Sequence, residues 1–144
     1  MSDLKGRLRE DLNAARRERD KARTSLLTMT ISELKNREIE LGREASDEDV
    51  LDVITKAVKR RKEAAVQIRA AGRAEMADRE DAEAVVLGVY LPEQLSEADV
   101  RAFARDAIEA GANNVGALMS QLMPRLKGRF DGKEASRIAR EELG

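Results

Sequence analysis

Histidine and cysteine are both absent from this chain of 144 residues. Without cysteine there is no disulfide, no zinc–thiolate site and no thiol nucleophile. Without histidine, Ser-His-Asp and Cys-His triads and histidine-held metals are excluded. Neither a G-x-x-x-x-G-K-[ST] phosphate loop nor a strand-coupled G-x-G-x-x-G is present. Aromatic residues make up only 2% (Tyr90, Phe103 and Phe130), and proline occurs only as Pro92 and Pro124. No apolar run approaches the roughly 18 residues that a membrane-crossing helix needs. Residues 1–20 are densely charged, so neither a signal peptide nor a membrane partner is expected. A cytoplasmic protein with no cofactor is the resulting expectation.

What is there is aliphatic and charged: 42% hydrophobic and 38% Asp, Glu, Lys and Arg. Ala, Leu, Glu, Arg and Lys dominate, all strong helix formers, and no Val/Ile/Thr run resembles a strand. The chain therefore reads as all-α. Its 27 basic and 28 acidic side chains leave a formal net charge of −1. No global field recruits nucleic acid or membrane, so any polyanion must be met by a local cluster.

Hydrophobic periodicity divides the chain into helices. Leu4, Leu8, Leu12 and Ala15 define the first; Leu27, Ile31, Leu34 and Leu41 define a second from about residue 24 to 41, closed by Gly42. Ser46 with Asp47, Glu48 and Asp49 then caps a long third helix to about residue 71. Its stripe is Val50, Ile54, Ala57, Val58, Ala65 and Ile68, with Arg61 projecting into the apolar side. Glu38 interrupts the preceding stripe in the same way. A hairpin folded near residue 45 places Arg61 opposite residues near 28 instead of 38, so these two do not pair. Arg61 must snorkel or find another acid, because an unpaired buried charge is costly.

A fourth helix is expected over about residues 75–90, ending at "YLPEQLS", where Leu91 is held extended by the proline after it. This joint splits the chain into an N-terminal helical unit of about four helices, residues 1–92, and a C-terminal three-helix bundle, residues 93–144. The bundle helices carry Val100, Phe103, Ala104, Ala107 and Ile108; then Val115, Leu118, Met119, Leu122 and Leu126; then Ala135, Ile138, Ala139 and Leu143.

Two basic clusters remain. Lys59, Lys62, Arg69 and Arg73 project together from the third helix at about 100° per residue. Arg125, Lys127, Arg129 and Lys133 surround Asp131 in the turn before the last helix. Each is a candidate for phosphate contacts, which position a nucleic acid without reading its sequence. Each also has an ordinary structural account, a solvated helix face in one case and a C-cap followed by an N-cap in the other. Ser32 near Lys35, and Ser136 near Lys133, have the spacing of ordinary helix surfaces. No residue is singled out as catalytic, cofactor-binding or metal-ligating.

"VYLPEQLSEADV" (89–100) and "GALMSQLMPRLKGRFDGKEASRIAREEL" (116–143), with "KRRKEAA" at 59–65, resemble the GatB/YqeY family and, more closely, its stand-alone YqeY-like members. The family pattern usually has glycine at the position of Ser120 and a small residue at that of Phe130. The resemblance implies a helical N-terminal unit followed by a bundle similar to the tail of the tRNA-dependent amidotransferase B subunit. That tail helps to hold tRNA. Family descriptions attach carbon–nitrogen ligase activity with glutamine as amido-N-donor, but the catalytic units have no counterpart in this chain. A non-catalytic module associated with tRNA or other RNA and linked to glutamine-dependent tRNA amidation is therefore the leading expectation. The alternatives are an adaptor for amidotransferase or synthetase proteins, or an accessory factor in amidation.

Overall fold

The computed structural model describes residues 3–144, and every regular element among them is a helix. The all-α reading holds. The helices are α1 (Asp3–Arg17), α2 (Lys21–Leu41), α3 (Asp47–Ala70), α4 (Ala74–Gly88), α5 (Glu97–Glu109), α6 (Val115–Leu126) and α7 (Gly132–Leu143). Two compact units divide between Leu91 and Pro92.

In the first unit α3 packs most extensively on α4, α1 on α2, and α2 and α1 also meet α3. Leu8, Leu27, Leu34, Val50, Ile54 and Leu87 are essentially inaccessible at its centre. Burial of such a side chain stabilises by about 1.5–3 kcal/mol before entropy is subtracted. Thr30 is buried among them without cost to satisfaction, because its hydroxyl donates to Leu26 O at 2.8 Å. Tyr90, just past α4, donates to Asp11 of α1 and lies under the Arg7 guanidinium, 4.7 Å from the ring centroid. Burial, followed by the Asp11 contact, pushes the phenol up to about 12.

The two charges that interrupted apolar stripes find separate partners. Arg61, 7% exposed, donates from Nε to Glu83 of α4 at 3.0 Å and from Nη1 to Ala57 O at 3.0 Å. Glu38 accepts from Lys5 Nζ at 2.6 Å and from Ala45 N at 2.8 Å, and the Lys5 bond chiefly holds its carboxyl below the usual range. Neither partner is near in sequence.

Helix starts follow local chemistry. Ser46 with Asp49, and Ser96 with Asp99, each form a complete capping box that satisfies two terminal amides reciprocally. Helix α2 begins at Lys21, earlier than its apolar stripe indicated, because the Asp20 carboxylate accepts from Arg23 N at 3.0 Å. Helix α4 stops at Gly88, short of Tyr90. Helix α3 ends at Ala70 and Gly72 adopts φ +80, a conformation that only glycine holds cheaply. Arg73 therefore lies outside α3, as the residue before α4.

The second unit is built on Val100, Ala104, Leu118, Leu122, Leu126, Ala135, Ile138 and Ala139, with α5, α6 and α7 in mutual contact. Phe103 and Phe130 pack on its edge. Pro124 is accommodated within α6. Arg101 reaches Glu97, Glu141 and Glu142, and Arg137 reaches Glu97, Glu134 and Glu141, so α5 and α7 are laced by a charged network.

Candidate nucleic-acid interface

The turn between α6 and α7 is shaped by Gly128, which is buried with φ +74, and by the amides of Arg129 and Phe130 returning to Leu126 O at 2.7 and 3.0 Å. Its four cations have different surroundings. Arg129 is half-buried: Nε donates to Glu93 O at 3.0 Å and Nη1 to Arg125 O at 3.3 Å. Its own carbonyl accepts from Leu95 N at 2.9 Å, and Gln94 Nε2 donates to Gly128 O at 2.8 Å and to Pro92 O at 3.0 Å. The "PEQL" stretch, 92–95, is thus clasped to residues 128–129. Two of the stretches quoted from the sequence, 89–100 and 116–143, hold each other.

Arg125 is exposed and lays its guanidinium over Phe103, 3.6 Å from the ring centroid. Lys127 and Lys133 are exposed. Lys133 is the second residue of α7, at the positive end of the helix dipole, where a cation is intrinsically disfavoured. It therefore adds to a positive field instead of being neutralised by its helix.

The α3 candidates are less alike than their spacing indicated. Lys59 is half-buried and Lys62 exposed. Arg69 donates to Asp78 at 3.0 Å and to Asp81 at 2.9 Å across the α3–α4 hairpin, Asp81 contributing most to raising its pKa. Arg73 approaches Met76 Sδ at 3.9 Å. These two clusters belong to different units.

A third basic region escaped the sequence reading. Arg16, Arg17, Arg19, Lys21 and Arg23 fall within residues 16–23, at the α1–α2 corner. Arg16, Arg19 and Lys21, with Thr24 and Ser25, line a cavity of about 410 Å³. The density of five basic side chains in eight residues was the available signal. A second cavity, about 260 Å³ between α2 and α3, is lined by Glu33, Glu40 and Asp52 against Arg37, Lys56 and Arg60, so its charge cancels.

Among the described residues no group of Asp and Glu could hold a metal ion, and no helix is long and apolar enough to cross a membrane. These features define a small all-helical protein whose notable chemistry is basic turns. The model of the YqeY-like protein family matches residues 5–143, and the chain belongs to that family. No curated protein matches the chain.

Proposed function

We propose that this YqeY-like protein is a non-catalytic module that associates with tRNA or other RNA in connection with glutamine-dependent tRNA amidation. The observation that carries the reading is the α6–α7 turn, where exposed Arg125, Lys127 and Lys133 gather around a glycine-shaped backbone. Arg129 is the residue that holds this turn in place, and Lys62 on α3 supplies a further exposed cation. Lys59, Arg69 and Arg73 take a secondary part. No step of carbon–nitrogen ligation is assigned to any residue.

Nuclease-treated protein should retain labelled tRNA at low salt. Log affinity should fall with log salt by about 0.7–0.9 per phosphate neutralised. Reversal of Lys127 and Lys133 to glutamate should flatten that slope, and absence of any retention at low salt sinks the reading.

An adaptor role is favoured by one separate feature. Val66, Val85 and Val89 of the first unit are 67%, 70% and 59% exposed, apolar surface that a partner protein would cover. Capture of amidotransferase or synthetase proteins that survives nuclease treatment, without RNA, would select that role. An accessory role in amidation requires that this protein change amidation of misacylated tRNA by a complete amidotransferase supplied with ATP and glutamine.

A further inference from the structure

Several cations of this chain, Lys62 and Lys133 among them, meet no carboxylate among the described residues, and at the α1–α2 corner three such cations line one cavity. Arg37, Arg43, Arg60, Arg61, Arg69, Arg101, Arg105 and Arg137 all meet carboxylates. Arg16, Arg19 and Lys21 meet none among the described residues, although acidic and basic side chains are nearly equal in number. Glu18 and Asp20 lie between them in sequence, yet neither lines the cavity. Asp20 is engaged instead with the amide of Arg23.

The cavity is lined by basic and hydroxyl-bearing residues and by no carboxylate, with the carbon stems of those side chains forming most of its wall. Thr24 and Ser25 are donors of the kind that supplement basic side chains at phosphate oxygens. Helix α2 has no acid in its first turn and starts on Lys21, whereas α3 and α5 start on Asp47, Glu48 and Asp49, and on Glu97 and Asp99. Only the capping carboxylate of Asp20, held on the Arg23 amide, faces the positive end of α2, and Lys21 adds to the field there. Arg19 has φ 57, and it is the only residue other than glycine with positive φ among those described. A cation is held where glycine would be less strained.

We propose that this corner is a phosphate-binding contact for RNA, in which Arg16, Arg19 and Lys21 grip the phosphodiester backbone and Thr24 and Ser25 donate to its oxygens. The proposal rests on the RNA-associated reading above and adds a site which that reading did not contain. An anionic membrane surface would use the same charge, but such contacts carry apolar anchors beside it. None of the large exposed hydrophobic side chains, Met29 being the nearest in sequence, lines the cavity.

The test compares full-length, nuclease-treated wild type with Arg19→Gly/Lys21→Ala and with Lys127→Ala/Lys133→Ala, by anisotropy of labelled tRNA over a series of salt concentrations. The corner variant should bind about tenfold more weakly at low salt, and its salt slope should be shallower by about 0.7–0.9 for each phosphate no longer neutralised. Its thermal midpoint should match or exceed that of wild type, because glycine relieves the Arg19 backbone. Wild-type binding undiminished in the corner variant overturns the corner and leaves the RNA reading standing. Failure of wild type to bind removes the RNA reading, and the corner with it. Weakened retention on phosphatidylglycerol vesicles with RNA binding unchanged reassigns the corner to a membrane and overturns the proposal.

Discussion

In the α6–α7 turn, Arg129 is committed to the carbonyls of Glu93 and Arg125, and Arg125 covers the Phe103 ring. In the α1–α2 corner, Arg16, Arg19 and Lys21 meet no carboxylate among the described residues and line an open cavity. Both segments read as basic runs, and both lie where one helix stops and another starts. The difference is that one commits Arg129 to backbone carbonyls and lays Arg125 on an aromatic ring, leaving Lys127 and Lys133 exposed, while the other presents all three cations. A basic turn is thus a binding candidate only to the extent that its donors are not already employed in the fold.

Charge reversal should separate the two most strongly. Arg16→Glu, Arg19→Glu and Lys21→Glu together should weaken tRNA binding on the order of 100-fold, since each change removes a cation from the phosphate backbone and adds repulsion. Circular dichroism should be unchanged, because these side chains make no ion pair among the described residues. Equal weakening from Lys127→Glu/Lys133→Glu would erase the contrast in binding and place the two segments on the same footing.

Truncation for stability should invert the ranking. Arg129→Ala leaves Glu93 O and Arg125 O without that donor and loosens the 92–95 clasp, at a cost of about 1–2 kcal/mol. Arg16→Ala, on an exposed surface, should change stability by less than about 0.5 kcal/mol. Urea unfolding of the full chain would measure both, and a smaller cost for Arg129→Ala than for Arg16→Ala would refute the clasp.

Arg19→Gly is the next step down, with a gain of about 0.5–1 kcal/mol. Relief of left-handed strain is opposed by the greater freedom of glycine in the unfolded chain. A lower urea midpoint for this variant would mean that the Arg19 side chain is employed in the fold after all, like Arg129.

How much of this was readable in the sequence depends on which atoms carry the information. The apolar stripes located the helices, and Ser46 with the acids after it marked a helix start that became a capping box. Arg61 was recognisable as a charge needing an acid, but Glu83 could be named only once the α3–α4 register was known. Lys5 and Glu38 are 33 residues apart and leave no periodic trace. The clasp between "PEQL" and "GR" runs largely to backbone carbonyls, which every residue possesses, so neither motif advertised the other. The α1–α2 corner was legible as composition and passed over, because a paired run of charge and an unpaired one look alike until their neighbours are known. Even Asp20, the cap of α2, was hidden within that run.

Between pH 6 and 8 the smallest effect of all is expected: no change in stability, since the chain has no histidine to titrate there. Outside that range the two units should diverge. Glu97, Asp99, Glu141 and Glu142 of the second unit are all held below their ordinary values, Glu97 and Glu141 chiefly by Arg101, Glu142 by Arg105, and Asp99 by the Ser96 amide. Groups depressed on folding contribute fully above their unfolded values, here 4.5 for Glu and 3.8 for Asp, and that stability is lost as pH falls through the lower folded values. In the first unit Tyr90 shifts the other way, from 10.0 to about 12. Its contribution is complete below the unfolded value of 10.0 and is lost as pH rises through the folded one, because only the unfolded phenol ionises readily between them. Glu38 and Asp49 give the first unit some acid sensitivity as well, but Tyr90 has no counterpart in the second. Amide exchange followed at acid and at alkaline pH should therefore show α5, α7 and the start of α3 loosening on the acid side and α1 and α4 on the alkaline side. Tyr90→Phe should abolish the alkaline asymmetry, and its persistence in that variant would show that another group carries it.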